Sequence, residues 1–545
     1  MSENASNSIN APRRVLIVGG GTAGWLTAGY LAKMFNAANP DSVQITLIES
    51  PDIGIIGVGE GTFPTIRTTL QILGIDEATF LRESTATYKQ GIKFVDWQHA
   101  PVRGDDGTLS HSHYIHPFDT PYPAEGHGLV PFWLLQDKAT RPPLASAVTF
   151  QISAADAHKA PKRDYDKGFT GPLNYAYHFD AANFARLLAK RGVELGVHHL
   201  QGTIGEVTLD DQGAIASVAS PEHGTLTADL YIDCTGFAAR LIGQALGEPL
   251  KSVKDTLFTD RAVTCQVPYD DPAGPIASYT VSTGHEAGWT WDIGLNSRRG
   301  IGYVYSSDHS SDDRAEEVLR AYVKERGNAD KAEIKTRRIA FKAGYRERQW
   351  VKNCVAVGLS ASFFEPLEST GIVLIEIAAG YIADFFQKSG PIDLPAAQFN
   401  RLMTQRCRRI VDFIKLHYCL TKRPEPFWRD NADPSSISPE LNSLLAMWTY
   451  RPPSRHDFIE ALESFAYSSY QFILYGMGFE TDYEASRTSF PRVAEARIVF
   501  DRVASFAKQA ADDLPDHRAL IEAVYAHGYR DKSSKDGLMS VPRRA

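Results

Sequence analysis

This chain of 545 residues has few cysteines, no long apolar run and no excess of positive charge. Its five cysteines form no C-x-x-C pair and no zinc-ligand spacing, which argues against a cysteine metal site and fits a reducing, cytoplasmic location. No apolar run is long enough to cross a bilayer, and residues 1–14 are polar, so they predict a flexible leader rather than a signal peptide. The net charge of −8 argues against nucleic acid as the main partner.

What the chain does contain is one informative stretch near its start, residues 15–24, which reads V-L-I-V-G-G-G-T-A-G. Four apolar residues predict a buried parallel strand, and Gly19, Gly21 and Gly24 form a G-x-G-x-x-G turn ahead of a helical run over residues 25–35. Such glycines permit a tight bend, the approach of backbone to a pyrophosphate, and the packing of helix on strand. The helix N-terminus would face the phosphates with unpaired N–H groups.

A second apolar strand over residues 43–48 ends on Glu49, where an acid is expected to accept hydrogen bonds from a ribose diol. Strand, glycines, helix, strand and acid in this order predict a dinucleotide-binding unit; the alternative is a glycine-rich turn without a ligand. Residues 54–65 are again rich in glycine and are predicted to lie close to the same ligand, unless they form an ordinary flexible loop.

Two elements follow that loop. Residues 66–73 have helical composition, and residues 88–97 alternate like one strand. The strand carries Lys89 and Lys93, and from the pattern alone either lysine is more typical of a solvated surface charge than of a catalyst.

Residues 99–143 are rich in histidine, proline, glycine and aromatic residues. His111, His113 and His116 lie close together in this stretch, which raises the question of a metal site. Because no carboxylate or cysteine completes the ligand set at helical spacing, the stretch instead predicts a loop that lines a cavity.

The middle of the chain continues the alternation of helix and strand. Residues 177–191 predict an amphipathic helix opened by H-F-D, and residues 193–197 predict a strand. Residues 229–237 predict a strand that ends in a Thr-Gly turn, where Gly236 would allow a second approach to the cofactor. From residue 394 onward the pattern is mostly helical.

Two further motifs carry candidate functional residues. Trp289 and Trp291 alternate and would face the same side of a strand, an arrangement more often found in a core than in a site. In F-F-E-P-L-E-S-T-G, Ser369 and Thr370 are suited to cap the following helix. Glu368 before them is either a cap that compensates the helix dipole or a functional acid.

Together these motifs resemble those of flavin-dependent halogenases of the tryptophan-halogenase type. The W-x-W-x-I element is the family's hallmark, and Gly294 stands after it where the family usually has proline, which loosens the backbone. The segments that carry the resemblance run from near the start of the chain to about residue 480: residues 19–24, 57–64, 88–97, 177–180, 232–237, 288–293, 364–372 and 469–478.

The resemblance implies an α/β fold, with an FAD-binding Rossmann-like domain of the flavin monooxygenase type, mixed sheets, and a mostly α-helical C-terminal region. It assigns flavin and halide chemistry to residues 1–390, which include substrate-side loops at residues 99–143. Residues 391–545 would form a helical region that covers the substrate.

The resemblance also implies a reaction. FAD, supplied as FADH2, would react with O2 to give a flavin hydroperoxide that oxidises chloride or bromide to hypohalous acid. Lys89 would hold the halogen as a chloramine or through a hydrogen bond until an electron-rich arene attacks it, with Lys93 ranked second. Glu368 would polarise the oxidant and stabilise, or take the proton from, the arenium cation. Thr370 and Gly371 would bind halide through backbone N–H groups.

The remaining site residues implied by the resemblance fall into two sets. Trp289 and Trp291 would keep the flavin and substrate chambers apart, and His116, Ser369 and Phe465 would belong to the substrate side. The expected cofactor-binding residues are Gly19, Gly21, Thr22, Ala23, Gly24, Glu49, Val197, Leu359 and Ile372.

The expected partners follow from what is missing. The chain holds one dinucleotide fingerprint, so a separate flavin reductase is expected to supply reduced flavin. The paired tyrosines, glutamate and Phe-Trp pair of tryptophan-specific members cannot be placed here, which favours an indole-type arene over free tryptophan. The alternatives are a flavin monooxygenase that hydroxylates an aromatic compound and a non-catalytic flavin-binding relative; a monomer and a homodimer are both open.

Overall fold

The structure is a computed structural model that describes residues 13–52, 54, 59–123, 128–327, 334–386, 391–459 and 462–530. The predicted leader, apart from residues 13 and 14, and residues 53 and 55–58 of the glycine-rich loop lie outside the described residues.

The described residues form strands of two to eight residues, numbered here in chain order. They are β1 Arg14–Val18, β2 Gln44–Glu49, β3 Glu60–Gly61, β4 Thr87–Lys89, β5 Gly91–Val95, β6 Val102–Arg103, β7 Leu109–Ser110, β8 His113–Pro117, β9 Ala176–Phe179, β10 His198–Gln201, β11 Val207–Leu209, β12 Ile215–Ser220, β13 Gly224–Leu226, β14 Leu230–Asp233, β15 Lys251–Ser252, β16 Arg261–Pro268, β17 Thr280–His285, β18 Gly288–Gly294, β19 Arg298–Tyr305, β20 Thr336–Ala340, β21 Gly344–Tyr345, β22 Trp350–Val351, β23 Cys354–Ala356 and β24 Ser362–Phe363.

The α-helices are concentrated at the C-terminal end of the chain. They are α1 Thr22–Phe35, α2 Ile66–Leu73, α3 Glu77–Glu83, α4 Leu129–Leu134, α5 Leu144–Val148, α6 Gln151–Asp156, α7 Ala181–Glu194, α8 Asp312–Glu325, α9 Thr370–Phe385, α10 Asp393–Cys419, α11 Pro426–Ala432, α12 Pro439–Trp448, α13 Tyr467–Gly476, α14 Val493–Asp513 and α15 His517–His527. Among the described residues, no helix has both the length and the apolar character needed to cross a membrane.

The first sheet is the Rossmann-like unit that the glycine motif predicts. Its order is β10-β2-β1-β14-β23-β22, and its strands are parallel except for the β22–β23 pair. Residues 15–18 of β1 are buried on both faces, as a run of apolar residues in a central parallel strand requires. The carboxyl ends of β1, β2 and β14 therefore meet at one edge, beside the start of α1.

Two further sheets complete the site. The larger has the order β20-β16-β19-β18-β17-β5-β8 and is antiparallel except for the β17–β5 pair. The smaller is antiparallel, with the order β3-β9-β4, so β4 lies at its edge. Mixed sheets with helices at the C-terminal end confirm the predicted fold class.

The prediction of one strand over residues 88–97 is wrong, because this stretch divides between two sheets. β4 pairs with β9, and β5 pairs with β8 and β17. The chain changes sheets at Gly91, where a Cβ atom would lie 2.4 Å from the carbonyl oxygen of His116. Alternation continues across this point, so periodicity alone does not reveal the break.

The boundaries predicted over residues 177–197 are also wrong. Residues 177–179 belong to β9, and the helix starts only after Asp180, whose side chain accepts a hydrogen bond from the backbone N–H of Asn183. Helix α7 extends through Val193 to Glu194, and the strand is β10, which begins after Val197. Residues 99–143, predicted as a loop, contain β6, β7, β8 and α4.

Candidate active site

The glycine motif forms an open groove at the edge of the Rossmann-like sheet. Gly19 has a φ of +111°, and a Cβ atom there would lie 2.3 Å from the carbonyl oxygen of Cys234. A Cβ atom on Gly24 would lie 1.8 Å from the carbonyl oxygen of Gly19, so this glycine allows α1 to pack on the turn. A Cβ atom on Gly21 would meet nothing within 4 Å. The open side of Gly21 is thus where a ligand has room to approach.

The expected ribose-binding acid lies beside this groove. Glu49 ends β2, and its Oε1 atom lies 2.8 Å from Nε2 of His199 in β10. The Glu49 carboxylate lies against Gly20, where any Cβ atom would collide with it. Val197, by contrast, is buried in the main core. Thr22 and Ala23 form the first turn of α1, where backbone N–H groups have no partner within the helix.

A cavity with a volume of about 190 Å³ lies between the sheets and the start of α9. It brings together eight of the residues predicted for the site: Trp289, Trp291, Leu359, Glu368, Ser369, Thr370, Gly371 and Ile372. Its other walls include Gly59, Phe237, Phe341, Phe363 and Glu365. Lys89, His116 and Phe465 lie outside this lining, on the far side of the Glu368–Ser369 turn.

The two tryptophans form one wall of the cavity, as their alternation in β18 predicts. Their ring centroids are 6.2 Å apart, and both side chains are buried. Trp291 lies against Gly302, where a Cβ atom would come within 2.2 Å of the indole ring. Trp97 packs behind Trp289 at 5.9 Å. The wall is therefore fixed from behind by a third indole.

The turn before α9 sends neighbouring side chains in different directions. Glu368 and Ser369 both have left-handed backbone, with φ values of +61° and +56°. Non-glycine residues in this region cost about 1–3 kcal/mol each, and such strain is concentrated at functional sites. The Ser369 side chain makes no capping hydrogen bond to α9, in contrast to its predicted role. Its Oγ atom accepts a hydrogen bond of 2.9 Å from Nζ of Lys89.

Lys89 is fully buried at the end of β4. Burial lowers the pKa of its ammonium group to about 8, against the opposing effect of Glu368. The ring of Phe118 lies 5.4 Å from Nζ. A side chain at Gly61 would reach within 3.0 Å of Nζ, so glycine leaves room for the amine. Lys93, four residues on, instead pairs with Asp156 at 2.9 Å near the surface.

Glu368 is buried between two histidines. His116 Nδ1 lies 2.9 Å from Oε1 and 3.0 Å from Oε2, and His417 Nε2 lies 3.1 Å from Oε1. Burial by itself raises the pKa of the Glu368 carboxyl, but the two histidines more than reverse this and hold it well below its usual range. Glu368 is therefore ionised at neutral pH.

Aromatic rings surround His116, which lies outside the cavity lining. His116 lies 5.9 Å from Phe413 and 6.4 Å from both Phe465 and Phe472, measured between ring centroids. Phe465 stacks on Phe413 at 3.8 Å and meets Phe63 edge-on at 5.2 Å. An aromatic molecule bound in this region would make ring-to-ring contacts with these side chains.

The start of α9 presents N–H groups to the cavity. A Cβ atom on Gly371 would meet nothing within 4 Å, so this residue faces open space. The first backbone N–H groups of a 16-residue helix, with its positive dipole end, suit an anion. Within the described parts of the chain, no group of His, Cys, Asp or Glu is arranged to hold a metal ion.

Three site residues escape the sequence reasoning. Glu365 lines the cavity and accepts hydrogen bonds from Tyr418 at 2.6 Å and Thr259 at 2.5 Å; burial raises the pKa of its carboxyl to about 7. Its position three residues before Glu368 in the same motif was the available signal. His417 and His517 lie in helices with no local motif, so the sequence offers no signal for either.

Comparison with known proteins agrees with this geometry. The sequence model of the family described as tryptophan halogenase matches residues 14–490. Tryptophan 6-halogenase SttH of Streptomyces toxytricini is 34% identical over 535 residues, which cover 94% of this chain and 98% of that protein.

Solved structures align over a similar extent. The crystal structure of a tryptophan halogenase from Shewanella frigidimarina has a TM-score of 0.88 and 37% identity, covering 96% of this chain and 99% of that chain. BrvH, a flavin-dependent halogenase from Brevundimonas sp. BAL3, has a TM-score of 0.83 and 30% identity, covering 94% and 100%. These alignments extend to most of the C-terminal helices.

Proposed function

The chain belongs to the tryptophan halogenase family, and we propose that it is an FADH2-dependent halogenase that attaches chlorine or bromine to an electron-rich, indole-type arene through Lys89. A single observation carries the proposal. The amine of Lys89 is buried and bonded to Ser369, in the turn whose next two residues line the cavity. A halogen donor that leaves the cavity at this turn would meet the amine first.

The residues present fit FAD. The open side of Gly21 and the N-terminus of α1 suit the pyrophosphate, Glu49 suits the ribose, and the apolar cavity suits the flavin ring. When bound, FADH2 together with O2 supplies the oxidation of halide to hypohalous acid. Thr370 and Gly371 would hold the halide through their N–H groups, and the Trp289–Trp291 wall would keep the arene away from the flavin.

The lowered pKa of Lys89 suits a halogen acceptor. An amine must be unprotonated to act as a nucleophile. Because burial lowers the pKa of the ammonium group from 10.5 to about 8, a much larger fraction of Lys89 is free amine at neutral pH. Its neighbour Ser369 would keep the nitrogen directed at the turn through their hydrogen bond.

The ionised Glu368 would act on the arene. As the halogen is transferred, positive charge develops on the ring, and a buried carboxylate nearby stabilises it. Glu368 can then accept the ring proton. The aromatic rings of Phe413, Phe465 and Phe472 would form the substrate walls, with His116 beside the carboxylate. The region after residue 390 would serve as the cover of this chamber, and a separate flavin reductase would supply FADH2.

The proposal is tested with FADH2 from a flavin reductase, O2, bromide or chloride, and either indole or free tryptophan. Mass spectrometry is expected to find the halogen isotope pattern in the indole product. Lys89→Ala is expected to abolish this product while flavin oxidation continues. Lys93→Ala is the matched control, because it removes a lysine of the same segment that pairs with Asp156 instead, and it should retain product. A hydroxylated product from the parent enzyme, or equal product from Lys89→Ala, would overturn the proposal.

A further inference from the structure

The strand that carries Lys89 is short, and one of its edges pairs with no other strand of its sheet. β4 spans three residues and pairs only with β9 in the three-stranded sheet. Edge strands leave N–H and C=O groups without sheet partners, and a pair of such short strands fixes its register weakly. Another part of the chain must therefore hold β4 from its free side.

Helix α15 supplies this support from the far end of the sequence. The backbone N–H of Tyr88 donates a hydrogen bond of 3.0 Å to Nε2 of His517. Tyr525 donates from its hydroxyl to the carbonyl oxygen of Ala86 at 2.9 Å, and the hydroxyl of Tyr529, two residues after α15 ends, is hydrogen-bonded to that of Tyr88. Two of these three contacts are to Tyr88, directly before Lys89, and the third is to Ala86, three residues before it.

The contact of His517 depends on one tautomer. Its Nδ1 atom lies 3.0 Å from the carbonyl oxygen of Ile276, which can only accept, so Nδ1 carries the proton. Nε2 is then free to accept from Tyr88. His517 is fully buried, and burial lowers the pKa of its ring to about 4, so the ring is neutral at pH 7.

The position of Tyr88 governs that of the next side chain. Thr87 is fixed separately, through a hydrogen bond of 2.6 Å to the carbonyl oxygen of Gly294. Lys89 then reaches Ser369 at 2.9 Å. A displacement of about 1 Å in such an arrangement is enough to cost about a hundredfold in rate.

We propose that α15 positions Lys89 by holding β4 at its free edge, and that neutral His517 is the positioning residue through which it does so. The inference rests on the proposed halogenase function, because that proposal gives Lys89 its role as the halogen acceptor. The contacts of α15 to β4 are read from this chain's own structure.

The test compares three variants of the full-length enzyme. His517→Phe keeps a ring but removes both hydrogen bonds, whereas His517→Gln can keep an acceptor and a donor. Arg518→Gln is the matched control, because Arg518 lies on the same helix and bonds to Gly274 and Asn296 instead of β4. Each variant is measured for hydrogen exchange of residues 84–90, for FAD affinity, and for halogenated product formed per FADH2 oxidised.

The expected result is specific to halogen transfer. His517→Phe should speed exchange at the Tyr88 amide and lower product per FADH2 at least tenfold, with more hypohalous acid released and FAD affinity unchanged. His517→Gln should recover most of the product, and Arg518→Gln should match the parent. Equal losses of FAD binding, flavin oxidation and product in His517→Phe would indicate general destabilisation and overturn the proposal, as would unchanged product.

The same measurements separate this proposal from the one on which it rests. If the parent enzyme forms no halogenated product, the halogenase function fails, while the exchange rate at Tyr88 still tests the contact with His517. Unchanged exchange in His517→Phe would overturn the positioning role whether or not the parent halogenates.

Discussion

The imidazole of His417 bridges the carbonyl oxygen of Phe413, 2.9 Å from Nδ1, and the carboxylate of Glu368, 3.1 Å from Nε2. A carbonyl oxygen and an ionised carboxylate only accept hydrogen bonds. Each nitrogen of the His417 ring therefore faces an acceptor, and the ring is one of the two groups that hold the pKa of the buried Glu368 carboxyl below its usual range.

Removing the His417 ring should change how the rate of the enzyme depends on pH. In His417→Phe we expect the pKa of Glu368 to rise, so that the acid limb of the kcat/KM profile moves to higher pH and turnover falls about tenfold to a hundredfold. Lys415→Met is the control, since it removes a buried cation of the same helix whose partner is Asn431. An acid limb identical to that of the parent would show that Glu368 does not need His417.

The charge of Glu368 can be removed without changing its shape. Glu368→Gln should lower turnover about a hundredfold, because one preorganised electrostatic partner of the transition state is lost. FAD affinity should stay nearly constant. If the residue serves only the helix start, the variant would instead show a lower melting temperature and near-normal turnover.

The protonation state of Lys89 should affect how much halogenated product forms for each FADH2 oxidised. We expect product per FADH2 oxidised to rise with pH and to level off above about 8, where the lysine is the free amine. Bromide is the better halide for this measurement, because hypobromous acid stays protonated to higher pH than hypochlorous acid. A ratio that falls over the same range would favour delivery by the ammonium form through a hydrogen bond.

The open side of Gly21 leads to a prediction about cofactor binding. Gly21→Val should leave the fold intact, because a Cβ atom there meets no protein atom within 4 Å. It should weaken FAD binding at least tenfold, measured by fluorescence titration, because the side chain would occupy the pyrophosphate position. Gly128→Val, at another open glycine away from the groove, should bind FAD like the parent.

The glycine in place of the family's usual proline has a steric explanation. A Cβ atom on Gly294 would lie 2.8 Å from Cγ2 of Ile276 and 2.9 Å from the hydroxyl of Tyr269. Gly294→Ala and Gly294→Pro should each lower the free energy of unfolding by about 1–3 kcal/mol, as measured in urea. Gly380→Ala, in α9 with a free side, should be neutral or stabilising. Unchanged stability of Gly294→Ala would contradict this explanation.

The parts of the molecule that local sterics determine could be predicted from the sequence. Gly19 and Gly24 stand where a Cβ atom would collide with backbone, so the turn of the first βαβ unit follows from their spacing. The alternation of Trp289 and Trp291 likewise predicts that they share a face. The role expected of Lys89 follows only from the resemblance of its motif, and its burial contradicts the surface position that the pattern alone favours.

The remaining features depend on contacts between distant parts of the chain. His417 is 49 residues from Glu368, and His517 is 429 residues from Tyr88, so no local pattern relates them. The break at Gly91 escapes detection for a similar reason, since the approach of His116 that requires glycine belongs to a neighbouring strand. Long-range packing, rather than propensity, decides these positions.

The left-handed pair Glu368 and Ser369 lines the cavity, and its side chains also contact His116 and Lys89, which lie outside the cavity lining. Under the proposed function, the halide-binding residues and the residues that receive the halogen would be joined by this short turn. Substitutions of Phe465 or Phe472, which do not line the cavity, can reshape the aromatic surroundings of His116 while Thr370 and Gly371 keep their places. Such a partition allows the range of acceptors to diversify in evolution, or under directed selection, while the oxidising chemistry stays constant.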